Sequence, residues 1–406
     1  MATPSKKLSR GITNGYLSAR GLAAGLAMVF ALVYSTNLGV ERRSLVAFIM
    51  ATTMVVSVIL TSGVSLAFRR SVPTAENKLT LNSYLYLTTF LSILASGLTL
   101  IFVLIYSKTK TEIPKTLLLI TVIYAFFACL DFCYHQALIA FNLFKLAAIL
   151  DVLTISIQIL IYSMLFLVNQ VSIAVSLFTA LIISYITSTT AALLLLISIK
   201  DSSIKLDFQA IRFLINSSKN YHLFGIANGF ADRIDRIIIA WFLPLGILGK
   251  YAVGTSLISF LRFLPEAASR LIVGGNSIPT FGAINRTFLR RLFAVSGLAL
   301  IGSALSQIFV NLFFGDAWKL PSLVLLLFAA QEIARGYYQI VISKLISDGS
   351  ERQVRNLSLA LIFSSFILPI IGSKIMGIYG VPLGIGISYV VLNVYLKATL
   401  LRPTKK

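Results

Sequence analysis

Acidic residues are scarce in this chain. Asp and Glu number 14 against 35 Lys and Arg, and charged residues make up only 12% of the 406 positions. A soluble domain carries roughly twice that share of charge, about a quarter of its residues, so a water-facing surface is excluded for most of the chain. Cysteine and histidine are scarcer still, at two each. Cys129 and Cys133 fall four apart inside one apolar segment, where a disulfide would distort the helix they sit on; both read as buried small hydrophobes. Two thiols so placed beside the single His135 match no closed zinc spacing, so no metal site is expected. There is no P-loop, no dinucleotide glycine fingerprint and no H-E-x-x-H, and no polar stretch could hold an ATPase domain. These absences exclude transport driven by the chain's own ATP hydrolysis. They leave neither an enzyme nor a cofactor to expect.

What is abundant is apolar. Hydrophobic residues reach 57% and the mean hydropathy is +0.90. Several runs exceed the ~20 residues that cross a hydrocarbon core as a helix, and none alternates with the dyad period of a barrel strand. The fold class expected is all-α: a polytopic membrane protein of about 12 transmembrane helices. The basic N-terminus leads into a retained first span rather than a signal peptide. Lys200–Asn220, the longest polar connection, divides the chain into lobes of six spans each, 1–199 and 221–406, with 200–220 as a cytoplasmic linker. Duplicated six-helix halves facing each other across a central cavity are a common transporter plan. The net charge of +21 is spread over loops instead of forming one basic domain, so it points to topology and anionic membrane lipids and not to nucleic acid. Lys and Arg concentrate on the loops that lie inside when the N-terminus is cytoplasmic, which puts both termini there.

Charge at bilayer depth marks the candidate site. A lone charged side chain costs at least ~2.5–3.5 kcal/mol at the centre of a membrane helix, so such residues face a protein interior or water. Asp232, Arg233, Asp235 and Arg236 lie midway through the expected span 221–243. On a helix the two acids stack on one face and the two arginines on the next, with Asp232 and Arg236 as i,i+4 partners. Arg262 lies midway through the span 250–273, with Glu266 one turn on and Pro265 set to kink the helix. Each group either fixes packing as an ion-pair network or lines a polar path; a cavity-facing Arg262 would suit bidentate recognition of phosphate. In span four, Asp131 and His135 are i,i+4 and form either a proton-linked pair or a structural hydrogen bond. Lys145 and Asp151 read as interfacial anchors.

The run DRIDRIIIAWFLPLGILGKYAVGTSLISFLRFLPEAASRLI resembles spans seven and eight of the O-antigen and capsular polysaccharide flippases, in the superfamily that also holds the multidrug and toxin extruders and the lipid II flippases. Asp235-Arg236, Phe242-Leu243-Pro244, Leu248-Gly249, Tyr251-Ala252-Val253 and Leu264-Pro265 stand in the family's places. Leu38-Gly39-Val40-Glu41 and TSGVSLAFRR are similar to its motifs around span two, although Arg43 and Ser44 stand where an aromatic-glycine ending belongs. The resemblance implies a two-lobed bundle in the bacterial cytoplasmic membrane with a cationic central cavity. It would carry undecaprenyl-pyrophosphate-linked oligosaccharide to the outer leaflet by alternating access, alongside a polysaccharide polymerase and chain-length machinery. Substrate contacts would fall on Arg262, Arg233, Arg236, Asp232, Asp235 and Glu266, and proton coupling on Asp131 and His135. A cation-coupled multidrug or small-metabolite antiporter of the same fold is the alternative.

Overall fold

A computed structural model describes residues 5–72, 77–168, 172–199, 207–259, 307–348 and 350–400, with Arg262, Pro265, Glu266, Ser269, Ile301 and Ala304 described singly. The helices are α1 (Ser5–Leu38), α2 (Val40–Ser71), α3 (Asn77–Thr109), α4 (Lys115–Ala140), α5 (Phe144–Val168), α6 (Ile173–Ile199), α7 (Phe208–Phe242) and α8 (Leu245–Ser259). A 3₁₀ turn at Asp316–Trp318 precedes α9 (Ser322–Ser347), α10 (Glu351–Met376) and α11 (Gly380–Leu400), with a second 3₁₀ turn, Gly377–Tyr379, between the last two. There is no strand among the described residues. The second half of span eight and most of span nine lie outside them.

Local chemistry sets the breaks. Gly39 alone separates α1 from α2 at φ +74°, a left-handed conformation that a Cβ would disfavour. Pro114, Pro244 and Pro321 each stand immediately before a helix, where a missing N–H costs nothing. Asp207 caps α7: its Oδ1 accepts from the backbone N–H of Gln209 at 2.8 Å and of Ala210 at 3.3 Å. That cap starts α7 thirteen residues before the expected Tyr221, so the latter part of the 200–220 connection is helical.

Leu119, Leu167 and Ile375 are among many large apolar side chains that stand exposed, and serines, threonines and tyrosines share the interior with apolar side chains. Many of the serine and threonine hydroxyls close onto their own helix, as Thr61 does on the Ser57 carbonyl (2.7 Å) and Ser92 on that of Thr88 (2.8 Å). Others join helices: the Tyr84 hydroxyl donates to the Cys133 carbonyl and shares a bond with Ser65, both at 2.9 Å.

By length and composition, seven stretches of the described residues can cross a membrane: Ser18–Leu38, Val40–Ser71, Leu81–Thr109, Lys115–Ala140, Phe144–Val168, Ile173–Ser198 and Arg352–Ala398. The last, at 47 residues, takes in α10 and α11; at ~1.5 Å per residue it spans about 70 Å, enough for two crossings. α7 is not among the seven, because its four clustered charges break the apolar run.

Contacts group the chain into two units, Met1–Leu38 with Ile49–Arg233, and Gly39–Phe48 with Ile234–Lys406. The line between them falls inside α2 and inside α7. In the first unit α4 packs on α3 and α6, and α5 on α1 and α6; in the second, α11 packs on α9 and α10, and α8 on α9. α7 approaches α2 closely in the first unit. A Cβ on Gly225 would lie 1.8 Å from the Ser62 hydroxyl, and one on Gly229 2.1 Å from a Val58 methyl, so only glycine permits that seam.

Candidate functional site

The mid-span charges gather in two buried clusters, one in each unit. In the first unit the centre is His135 on α4, which is buried. Its Nδ1 lies 3.0 Å from the Asp131 carbonyl and 3.4 Å from Asp131 Oδ1, and its Nε2 lies 3.5 Å from Asp151 Oδ1 on α5. Asp151 is held in turn by the guanidinium of Arg20 on α1. Tyr185 on α6 feels the charges of Asp131, Asp151 and Arg233, and Tyr124 on α4 also feels Arg233. The expected Asp131–His135 pair is therefore part of a larger set. Asp151, read from the sequence as an interfacial anchor, is instead its second carboxylate. Such a set can hold and pass a proton, since imidazole and carboxylate exchange one across a short gap. Among the described residues no group is arranged to hold a metal ion.

The second unit holds the denser cluster. Asp235 is 2% exposed; its Oδ2 accepts the Tyr251 hydroxyl from α8 at 2.9 Å, and its Oδ1 accepts the Arg236 backbone N–H at 2.8 Å. The Tyr251 ring meets Phe328 of α9 edge-on at 5.8 Å, and the Arg262 guanidinium lies over the same Phe328 ring at 5.4 Å. The Arg262 fork is filled by Glu332 of α9, with Nε donating to Oε2 at 2.6 Å and Nη2 to Oε1 at 2.5 Å. Arg335, one turn on, donates to the same Glu332 Oε2 at 3.1 Å and reaches Glu266 at 3.4 Å. The carboxylate in the Arg262 fork thus comes from another helix, and Glu266, the local partner that the spacing suggested, reaches Arg335.

Three cations besides Arg335 meet here. Arg43 and Arg262 both act electrostatically on Arg236. Arg43 is 4% exposed although its neighbour Arg42 in the same turn of α2 stands in the open. The Nε of Arg236 is buried with no hydrogen-bond partner among the described residues. Four arginines against Asp235, Glu266 and Glu332 leave an excess of positive charge, the setting an anion requires.

The quartet on α7 does not act as one block. Asp232 and Arg233 belong with the first unit, Asp235 and Arg236 with the second. Beyond α8, Arg262 meets Glu332, Glu266 meets Arg335, Pro265 lies against Gly336, and the hydroxyls of Ser269 and Ser343 are 2.6 Å apart. From Arg262 to Ser269 the partners advance along α9 from Glu332 to Ser343. The kink expected at Pro265 lies in a segment of which only single residues are described.

Glu332, Arg335, Arg43 and Arg20 were missed in the sequence. Glu332 and Arg335 had a signal: an i,i+3 charged pair in an otherwise apolar span, the same criterion that singled out Arg262. Arg43 lies in the first turn of α2 and Arg20 closes the basic N-terminal stretch ahead of the first apolar run, places where a cation reads as an anchor, and neither gave a signal.

Comparison with known proteins fits this architecture. A model of the family described as "Polysaccharide biosynthesis protein" matches residues 14–265. No curated protein sequence matches the chain. Among solved structures, it is similar to a point mutant of the Vibrio cholerae MATE transporter VcmN at 15% identity and a TM-score of 0.69, covering 99% of each chain. It is similar to the lipid II flippase MurJ, inward closed, at 15% identity and 0.71, covering 96% of this chain and 87% of that one. A MOP superfamily transporter from Pyrococcus furiosus, for which a reversed binding-pocket polarity is described, aligns at 13% identity and 0.62 over 98% of both. Identities this low speak for the fold alone, and that fold is the all-helical one expected. With the family model covering well over half of its length, the chain belongs to the polysaccharide biosynthesis protein family.

Proposed function

We propose that this protein flips a lipid-linked oligosaccharide, an undecaprenyl-pyrophosphate-linked repeat unit of O-antigen or another surface polysaccharide, across the bacterial cytoplasmic membrane. The chain is a multi-pass membrane protein of the MATE/MOP transporter fold and not an enzyme. The observation that carries the reading is the gathering of Arg43, Arg236, Arg262 and Arg335 in the interior of one unit, where the buried Arg236 Nε awaits an acceptor. Guanidinium forks match phosphate oxygens in pairs, and a pyrophosphate supplies several.

In this reading Arg262, Arg236 and Glu266 meet the headgroup, and the lobes 1–199 and 221–406 alternate in opening to the two sides of the membrane with both termini in the cytoplasm. Asp232, Arg233 and Asp235 serve the same path, while Asp131 and His135 couple transport to protons. Anionic lipids surround the basic loops, and a polysaccharide polymerase with its chain-length machinery takes the product.

Deleting the gene and profiling surface glycans and polyprenyl-diphosphate intermediates tests this. Loss of one surface polysaccharide, with its lipid-linked unit accumulating on the inner leaflet, is the expected result; unchanged glycans with increased drug sensitivity would overturn it. The latter outcome would favour a cation-coupled antiporter, which the acid-flanked His135 in the first unit also suits.

A further inference from the structure

We infer that Glu332 is an internal stand-in for the anionic headgroup: its carboxylate occupies the seat on Arg262 that a lipid diphosphate takes, and binding proceeds by exchange of one anion for the other. This rests on the flippase reading and deepens it. Arg262 offers Nε and Nη2 side by side, and Glu332 fills both, at 2.6 and 2.5 Å. A carboxylate and a phosphate present oxygen pairs to that fork in nearly the same way, so the exchange conserves both hydrogen bonds.

What happens to the displaced group decides whether exchange is feasible. A carboxylate stripped of partners in a buried site is strongly disfavoured. Glu332 is not stripped, because its Oε2 is shared: it already accepts from Arg335 at 3.1 Å, and Arg335 is tied to Glu266 through its other terminal nitrogen at 3.4 Å. Arg335 therefore keeps Glu332 when Arg262 lets go. Charge also permits the step: Arg262, Arg335, Glu332 and Glu266 balance among themselves, and the positive charges of Arg43 and Arg262 both act on Arg236 close by. The Phe328 ring over Arg262 holds the guanidinium in place during the exchange. An empty seat would trap any small anion; a seat closed by its own carboxylate admits only a ligand that outcompetes it, and releases that ligand when the carboxylate returns.

The test is binding of farnesyl diphosphate and, separately, inorganic pyrophosphate to the purified full-length protein by calorimetry. Glu332→Gln keeps the shape and removes the competing charge, so farnesyl diphosphate should bind about tenfold more tightly than to the unaltered protein. Glu332→Asp keeps the charge on a shorter stem and should gain about threefold; this variant decides the matter if the glutamine variant does not fold. Gains of that order with inorganic pyrophosphate also support the seat and show that it reads the headgroup alone. Unchanged or weaker binding in the folded variants, with farnesyl diphosphate still bound by the unaltered protein and lost in Arg262→Ala, overturns the exchange and leaves the flippase reading standing. Absence of diphosphate binding in every form, unaltered protein included, overturns that reading itself.

Discussion

In the first unit a base sits between acids: His135 lies against Asp131 and Asp151. In the second an acid sits between bases, with Glu332 held by Arg262 and Arg335. The inversion separates two kinds of work. Imidazole between carboxylates changes protonation readily and binds little else, whereas guanidinium groups keep their charge at every accessible pH and hold oxyanions. In the proposed function one cluster titrates and the other stays cationic.

If that contrast is real, the two clusters break differently. Arg262→Ala should abolish surface polysaccharide while the protein still inserts, and Arg262→Lys should retain partial activity because a point charge replaces the fork; normal glycan from the alanine variant would remove Arg262 from the site. His135→Ala should slow transport and erase its response to a pH gradient in reconstituted vesicles, and an unaltered gradient response would assign the histidine to packing. For stability, Glu332→Ala leaves two buried guanidiniums facing one another and should cost about 3–5 kcal/mol in denaturant unfolding. Asp151→Asn, at a partly exposed pair, should cost about 1–2 kcal/mol, and equal losses would erase the difference between the clusters. The smallest effect belongs outside the membrane spans. At the exposed Asp316, the hydrogen bond and charge of Lys319 lower the carboxyl pKa below its usual value. That bond is present above the ordinary carboxylate range and fades as pH falls through the lowered value. Lys319→Ala should return the Asp316 titration to its usual position, read by NMR, with no measurable change in unfolding.

Much of the fold was legible because hydropathy over twenty residues is a strong signal: the apolar runs that predict an all-α chain of many spans are the helices α2 to α6, α10 and α11. The start of α7 was not, because a stretch interrupted by Arg212, Ser217, Ser218 and Lys219 has neither the apolar run of a span nor the break of a turn. Asp207 three residues before Ala210 was the available cue. The candidate site was legible residue by residue and illegible in its pairings. Arg262 finds Glu332 seventy positions away and Arg20 finds Asp151 at a separation of 131, partners that only packing brings together. Spacing along one helix suggested Glu266 for Arg262 and Asp131 for His135; a second helix supplies Glu332 to the arginine and adds Asp151 to the histidine.

The charges on α7 also bear on how the protein is made. Helices such as α3, where Thr88, Thr89, Ser92 and Ser96 close onto their own backbone, can leave the insertion machinery singly and pack later. α7 has no such independence. Asp235 acquires its phenol only when Tyr251 of α8 emerges, and the neighbouring Arg262 waits still longer for Glu332 of α9. The charges of Asp235 on α7 and of Arg262 in the segment after α8 thus gain these protein partners only once α8 and α9 have been made.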